Sequence, residues 1–172
     1  MSVTIRPLLT NDASTFQVLR LQALEHDPDA FLSVLTDEKH KATNRFAQEI
    51  VYSSLISPFG YYGCFIDDHL VGYVLISSTN LGKQQHAAFL YNLYFDTHHR
   101  RQGLAQQLVT FVIDILQQYH IEWLYASCIA SNQTATAFYH KLGFVDYGLR
   151  PRSVKWQNTY DDELELALSL QS

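Results

Sequence analysis

The stretch Phe95-Asp96-Thr97-His98-His99-Arg100-Arg101-Gln102-Gly103-Leu104-Ala105 separates two segments that differ in their hydrophobic periodicity. The apolar run from Ala87 to Phe95 before it is typical of a strand, whereas apolar residues recur at helical spacing from Arg101 onward. The helical stripe comprises Leu104, Leu108, Phe111, Val112, Ile115 and Leu116, and ends near Tyr119-His120. The sequence therefore predicts a strand, a tight polar turn and an amphipathic helix, which is a building unit of α/β folds.

This turn also has the composition of an anion-binding site. The first backbone N–H groups of a helix lack intrahelical partners and lie at the positive end of its dipole, so they attract phosphate. Gly103 and Ala105 would let phosphate oxygens approach the backbone, and Arg100 and Arg101 add charge at the rim. The Walker A loop and the Gly-x-Gly-x-x-Gly fingerprint are both absent. The alternative is a plain strand-to-helix turn with a capping glycine.

The residues before this unit predict an antiparallel meander. Tyr62 to Ile66 and Leu70 to Ser77 form a predicted hairpin around Asp67-Asp68, with Gly72 as a candidate bulge. Ala87 to Phe95 would add the third strand. Simple alternation predicts one shared face for a set of four apolar residues: Phe89, Tyr91, Leu93 and Phe95.

The flanking segments complete a single predicted domain over residues 1–172. The predicted elements are a first strand Val3 to Arg6, a helix capped by Asn11-Asp12, a helical stretch from Asp37 to Ser54, a strand Ile121 to Ile129, a helix Asn132 to Leu142, a strand from Phe144, and a last strand Leu164 to Leu170 after the acidic turn Asp161-Asp162-Glu163. We therefore predict an α/β domain with a mixed central sheet of about seven strands, largely antiparallel in its N-terminal half, and with helices on both faces.

A second group of polar residues lies on the predicted helix after Ile129. Asn132, Ala135 and Tyr139 fall at i, i+3 and i+7, so they are expected on one helix face. A phenol is a suitable acid for a departing thiolate, because its ordinary pKa lies near ~10. The alternative is that Tyr139 is a half-buried aromatic residue whose hydroxyl is satisfied within the protein.

Composition excludes several classes of function. The net charge is −5, and the 12 lysines and arginines form no long run, so binding of nucleic acid or of an anionic membrane is not expected. The two cysteines, Cys64 and Cys128, lie in apolar strand-like runs, which predicts buried free thiols. Neither a signal peptide nor an apolar stretch of membrane-spanning length is recognisable, so we expect a cytoplasmic protein.

Taken together, these motifs resemble the GNAT superfamily of acetyl-coenzyme A-dependent N-acetyltransferases over nearly the whole chain. The matching segments are Ile5-Arg6-Pro7 with Asp12-Ala13, Leu70 to Val74, Asn92 through Ala105, Asn132 through Phe144, and Tyr160 to Leu166. The resemblance implies that the main chain of Leu93, Tyr94 and Phe95 pairs with pantetheine. It further implies that six amides hold the pyrophosphate, namely those of Arg100, Arg101, Gln102, Gly103, Leu104 and Ala105. Asn132 would contact the coenzyme, and Tyr139 would both contact it and act as general acid.

The activity implied by the resemblance is acetyl transfer from acetyl-coenzyme A to a primary amine of a small molecule or peptide, in a ternary complex and without a metal. A catalytically degenerate coenzyme-binding module is the alternative, and a homodimer stays open. The strand Ala87 to Tyr94 lacks the carboxylate that many members use as general base. The candidates are a water chain on Asn92 and Tyr94, Glu38, or Asp37.

Three other features have simpler interpretations. His98-His99 has no third ligand at metal spacing, so rim residues are expected there rather than a zinc site. Trp123 and Trp156 are expected to be packing residues. Glu163 and Glu165 are expected on a solvated strand face.

Overall fold

A mixed sheet of seven strands forms the centre of the computed structural model, which describes residues 2–79 and 81–171. The strands are β1 Val3–Pro7, β2 Gly60–Ile66, β3 His69–Ser77, β4 Ala87–Phe95, β5 Trp123–Ile129, β6 Val145–Trp156 and β7 Thr159–Ser169. Their order across the sheet is β1-β2-β3-β4-β5-β7-β6. The pair β4–β5 is parallel and the other neighbouring pairs are antiparallel. This confirms the predicted fold class.

Helices cover both faces of the sheet. They are α1 Ala13–His26, α2 Leu35–Glu38, α3 Thr43–Ser53, α4 Leu104–Gln118 and α5 Gln133–Lys141. The prediction of one helical stretch from Asp37 to Ser54 is wrong, because a turn interrupts it after Glu38 and α3 begins only at Thr43. No helix among the described residues is both long and apolar enough to cross a membrane.

The two faces of the sheet have different cores. Side chains of α4 and α5 pack on one face in an aliphatic core that includes Leu108, Val112 and Leu116. Helices α1 and α3 pack on the other face around aromatic residues, where the ring of Phe16 lies 4.7 Å from that of Tyr61 and 5.1 Å from that of Tyr73. Burial of such side chains contributes roughly 1.5–3 kcal/mol each, so both layers are firmly attached to the sheet.

A bulge in β4 changes which side chains share a face. Tyr91 pairs with Leu75 and Tyr94 pairs with Tyr73, so two residues of β4 oppose Val74 alone, and Asn92 takes a φ of 55°. As a result, the aliphatic core includes Leu90 before the bulge and Phe95 after it. The prediction of one common face for Phe89, Tyr91, Leu93 and Phe95 is therefore wrong, because the extra residue reverses the alternation.

The C-terminal strands are longer than predicted. The acidic residues Asp161, Asp162 and Glu163 lie inside β7, not in a turn before it, and the reversal occurs at Gln157-Asn158, where both residues have positive φ. Strand β5 begins at Trp123 rather than Ile121. The hairpin irregularity lies beside Gly72 as predicted: Cys64 pairs with Gly72 and Phe65 with Leu70.

Both cysteines are free thiols, as predicted. Cys64 is fully buried in the aliphatic core, and this burial raises the pKa of its thiol to about 11. Cys128 is half-buried on β5.

Candidate functional site

Strands β4 and β5 pair over only half of their length and then separate. The parallel register runs from Ala87 opposite Trp123 to Leu90 opposite Ala126. Beyond these residues β5 continues to pair with β7, whereas no strand among the described residues pairs with the β5-facing edge of residues 91–95. We call this opening, between residues 91–95 of β4 and 127–129 of β5, the strand fork. Leu93, Tyr94 and Phe95 line it, so an extended ligand could pair with their main chain.

The turn after β4 is held together by its own side chains. The Asp96 carboxylate accepts a hydrogen bond from the His98 N–H at 2.9 Å, and Arg100 Nε donates to the Phe95 carbonyl at 2.9 Å. The Arg100 guanidinium also pairs with the Asp27 carboxylate and lies 5.2 Å from the centre of the Tyr94 ring. The side chain of Arg100 therefore braces the turn against the end of α1, which no local sequence signal indicated.

Arg101 differs from Arg100 because its side chain is exposed and forms no ion pair with the described residues. Its φ is 60°, in the left-handed region. The positive charge predicted at the rim of the loop is therefore available from Arg101. The charge of Arg100 is already paired with Asp27.

The first N–H groups of α4 have no hydrogen-bond acceptor among the residues that the structure describes. Gly103 is the N-cap with φ 78° and has no side chain to cap the helix, and the first intrahelical bond runs from Gln107 N to Gly103 O at 3.0 Å. The N–H groups of Leu104, Ala105 and Gln106 precede this bond. A Cβ at position 103 would meet no atom within 4 Å, so the space beside the glycine is open. The predicted binding of pyrophosphate by this loop stays a prediction.

Unlike α4, helix α5 begins at a residue whose side chain caps it. Asn132 is its N-cap rather than part of the helix, and Asn132 Oδ1 accepts a hydrogen bond from Ala135 N at 3.0 Å. The expectation that Asn132, Ala135 and Tyr139 form one helical face is corrected accordingly, because the Asn132 side chain turns to the helix end. Its contact with a coenzyme stays a prediction.

Tyr139 is buried between α5 and the sheet. Its ring lies 5.5 Å from Phe138 and 5.2 Å from Phe144, both measured between ring centres. Its hydroxyl has no hydrogen bond to any of the described residues and is not among the fully buried polar atoms that lack a partner, so it keeps access to solvent. The alternative of a hydroxyl satisfied within the protein is therefore not supported. Burial, and secondarily the nearby Cys128 thiol, raises the pKa of Tyr139 above its ordinary value, so the phenol stays neutral.

Of the predicted base candidates, Glu38 is engaged in a buried ion pair. Its two carboxylate oxygens accept hydrogen bonds from Arg20 at 3.1 and 3.2 Å. Burial acts to raise the pKa of Glu38, but the bond to Arg20 and its charge outweigh burial and lower it. Asp37 is exposed on α2. Glu38 therefore has a structural role.

Within the described part of the chain, three buried polar atoms have no hydrogen-bond partner: Arg20 Nη1, the Tyr73 hydroxyl and the Tyr94 hydroxyl. The Tyr73 hydroxyl lies close enough to Arg20 for the arginine charge to oppose the effect of burial on the tyrosine pKa. The predicted water chain on Asn92 and Tyr94 stays a prediction.

The sequence analysis missed a second polar cluster beside the fork. Ser127 donates to Glu163 Oε1 at 2.7 Å, and Arg150 Nη1 lies 3.1 Å from Glu163 Oε2. The expectation of a solvated face is wrong for Glu163, which is only 6% exposed because the β6–β7 pairing brings Arg150 across it. The sequence did contain one indication of this cluster: Glu163 and Glu165 alternate along the predicted strand, which places both carboxylates on one face.

No group of three or more metal-binding side chains exists among residues 2–79 and 81–171. His99 Nδ1 lies 3.3 Å from Asp96 Oδ1, within the turn itself. The absence of a metal requirement stays a prediction.

Comparison with known proteins agrees with this geometry. A sequence model of the acetyltransferase (GNAT) family matches residues 21–144. The ribosomal protein bS18-alanine N-acetyltransferase of Escherichia coli K12 is 31% identical over 83 residues, which are 48% of this chain and 56% of that protein. The chain therefore matches little more than half the length of its curated relatives.

Solved structures match over the whole fold. An acetyltransferase of the GNAT family from Streptococcus pneumoniae has a TM-score of 0.85 at 20% identity, over 98% of this chain and 99% of that one. The yncA protein of Salmonella typhimurium, solved with its cofactor acetyl-CoA, has a TM-score of 0.86 at 16% identity, over 100% and 96% of the two chains. Since the family match covers well over half of the sequence and the fold agrees, the chain belongs to the acetyltransferase (GNAT) family, as its motifs predicted.

Proposed function

We propose that the protein transfers an acetyl group from acetyl-coenzyme A to a primary amine of a small molecule or peptide, by direct attack in a ternary complex. The observation that carries this proposal is the strand fork, on which an open strand edge, an uncapped helix and a buried neutral phenol converge. The proteins of similar fold and sequence support it: one was solved with acetyl-CoA, and another is named for an alanine acceptor.

Each part of the fork has a proposed task. The main chain of Leu93, Tyr94 and Phe95 would pair with the pantetheine arm as an additional strand would. The amides from Arg100 to Ala105 would hold the pyrophosphate, with the open space beside Gly103 admitting its oxygens. Asn132 would approach the coenzyme from the start of α5.

Tyr139 would act on the leaving group. As the C–S bond breaks, negative charge develops on sulfur, and a neutral buried phenol can donate its hydrogen to that atom. Because burial raises the pKa of Tyr139, the phenol keeps its proton well above neutral pH. Proton donation by Tyr139 is therefore available at neutral and mildly basic pH, where part of the acceptor amine is deprotonated.

Binding and turnover test this proposal separately. Acetyl-coenzyme A at 100 times its Kd should raise the free energy of unfolding by about 2.7 kcal/mol, which a thermal-shift assay detects. A panel of primary amines should then give release of free thiol at rates above hydrolysis. A thermal shift without thiol release from any amine would favour the degenerate coenzyme-binding module, and no shift would contradict the coenzyme site.

A further inference from the structure

The carboxylate of Glu163 lies next to the fork, on the face opposite Tyr139. Ser127 is the first residue of β5 beyond its last pairing with β4, and its hydroxyl donates to Glu163 at 2.7 Å. Tyr91 is the corresponding first residue of β4, and Glu163 is close enough to it to affect the tyrosine pKa. Cys128, the next residue of β5, belongs to the other face, on which Tyr139 is packed. The fork therefore has a phenol on one side and a carboxylate on the other.

The core of α1 and α3 lies on the same face of the sheet as Glu163 and extends as far as Tyr94 in the fork. Beyond this core, five aromatic side chains form a continuous strip across β4, β5 and β6: Phe89, Tyr91, Trp123, Tyr125 and Tyr147. They belong to neither hydrophobic core, and Tyr91 and Tyr147 are 45% and 55% exposed. The turn Pro28–Ala30 lies beside β5, so an acceptor would approach the fork over the exposed rings next to that turn.

The chemistry of this face suits a cationic amine. Aromatic faces attract ammonium groups, with energies of about 0.5–1 kcal/mol at exposed sites. Glu163 and Glu165 share a single guanidinium, that of Arg150, which leaves one net negative charge beside the strip. The chain as a whole carries a net charge of −5, which also favours a cation over an anion.

We propose that Glu163 is the general base that strand β4 lacks, and that it takes the proton of an ammonium acceptor lying on the aromatic strip. This inference rests on the proposed acetyl transfer. Glu163 differs from Glu38 in its partners: one oxygen of Glu163 is bonded to the Ser127 hydroxyl, which can relay a proton, whereas both oxygens of Glu38 are bonded to the Arg20 guanidinium. The charged and titratable groups near Glu163 are Arg150 from β6, Glu165 from its own strand, Tyr91 from β4 and Cys128 from β5.

The proton balance can be written in full. Glu163 takes one proton from the ammonium group, directly or through the Ser127 hydroxyl, and passes it to solvent. The neutral nitrogen then forms a bond to the thioester carbon and loses its second proton, while the C–S bond breaks with its electron pair going to sulfur. Tyr139 donates a proton to sulfur and is reprotonated by the one that nitrogen released. The products are the amide, free thiol and one proton in solution.

A matched pair of amines tests the role of Glu163. Ethylamine is protonated at neutral pH and needs a base, whereas trifluoroethylamine is already neutral and does not. With acetyl-coenzyme A at saturation, Glu163→Gln should lower kcat/KM for ethylamine about 100-fold, which is the lower range of general-base contributions. For trifluoroethylamine the same variant should lose less than about 5-fold, since that amine gives up no proton before attack.

Glu165→Gln is the control variant, because Glu165 also pairs with Arg150 but does not bond to Ser127. It removes the same charge from this face as Glu163→Gln does, so it should raise KM for ethylamine by up to about 3-fold and leave kcat for both amines at the wild-type value, since a partly exposed ion-paired carboxylate contributes little to binding. Glu163→Asp should recover part of the ethylamine rate, and it keeps the inference testable if Glu163→Gln is unstable. Calorimetry should give unchanged acetyl-coenzyme A affinity for all three variants.

The outcomes separate this inference from the proposed function. If wild type transfers acetyl to neither amine, the proposed function fails and the inference fails with it. If wild type is active but Glu163→Gln lowers kcat/KM equally for both amines, Glu163 is not the base. The same conclusion follows if Glu165→Gln lowers kcat/KM for ethylamine as much as Glu163→Gln does. Selective loss with ethylamine and partial recovery in Glu163→Asp would support it.

Discussion

Helices α4 and α5 both begin directly after a strand that borders the fork, yet their N-termini are built differently. Helix α4 starts at Gly103, which has no side chain, so its first N–H groups have no capping acceptor. Helix α5 starts at Asn132, whose side chain accepts a hydrogen bond from Ala135 N. The same backbone element thus has a free donor set in one case and a satisfied one in the other.

This difference assigns different tasks to the two helices. A glycine at the N-cap costs only about a few tenths of a kcal/mol of stability compared with a good capping side chain, and it leaves the first N–H groups available to an acceptor that a ligand supplies. A capped helix start is stable by itself and holds the helix in a fixed position. We therefore expect α4 to bind the pyrophosphate and α5 to position Tyr139.

Filling the open space at the N-terminus of α4 should produce the largest effect on coenzyme affinity. Gly103→Asp places a carboxylate in the open space beside the first N–H groups, and aspartate tolerates the positive φ better than most residues do. The strain at φ 78° should leave the free protein no more stable than wild type, while repulsion and loss of charge-assisted hydrogen bonds should raise the Kd for coenzyme A by about 100-fold. Calorimetry measures the Kd and thermal unfolding measures the stability.

Gly103→Asn and Gly143→Asn are the matched controls. Asn at position 103 adds a side chain of similar size without charge, so its loss of affinity should be smaller. Gly143 also has a positive φ, 93°, but lies after the C-terminus of α5, away from the loop. Coenzyme affinity that survives Gly103→Asp, or that falls equally in Gly143→Asn, would contradict the assignment of the phosphate loop.

Removing the phenol from α5 should affect turnover and not binding. Tyr139→Phe should lower kcat about 100-fold, because proton donation to the leaving group is lost, and should leave the Kd for acetyl-coenzyme A within about 2-fold. Since burial raises the pKa of Tyr139, wild-type activity should show no decline through pH 9 from ionisation of this group. A wild-type rate in Tyr139→Phe with a competent amine would remove the acid role.

Substitution of the two arginines of the loop should have different effects, one on coenzyme affinity and the other on the stability of the protein. Arg101→Gln removes an exposed charge that has no ion-pair partner among the described residues, so the Kd should rise about 5-fold and depend less on salt. Arg100→Gln removes the links to Asp27 and Phe95, so it should mainly lower the free energy of unfolding, by about 1 kcal/mol. Equal loss of affinity in both variants would mean that Arg100 also binds the phosphate.

Most of the fold followed from the sequence because hydrophobic periodicity is local. The run from Ala87 to Phe95 and the stripe along α4 were placed within a residue or two. The face on which Leu93 and Phe95 lie was predicted wrongly, because the bulge at Asn92 depends on packing against β3 and has no local signal in the sequence. The burial of Glu163 was missed for a similar reason, since Arg150 reaches it from a different strand.

The site shows the same division between local and long-range information. The composition of the loop indicated an anion site, because Gly103 and the adjacent arginines are neighbours in sequence. The engagement of Arg100 with Asp27 joins residues 73 positions apart, so the sequence could not show that one arginine braces the turn while the other stays free. The pairing of Glu38 with Arg20 was hidden in the same way.

The smallest effect is expected from changing the cap of α5. Asn132→Ala should lower the free energy of unfolding by about 1 kcal/mol, as loss of an N-cap side chain does, whereas Asn132→Ser should retain most of it because serine also caps. If the cap is the main task of Asn132, the serine variant should bind acetyl-coenzyme A within about 2-fold of wild type. Weaker binding of acetyl-coenzyme A by a fully stable Asn132→Ser variant would instead show that the Asn132 amide contacts the coenzyme. Helix α5 would then take part in coenzyme binding, although its capped N-terminus favours a purely structural role.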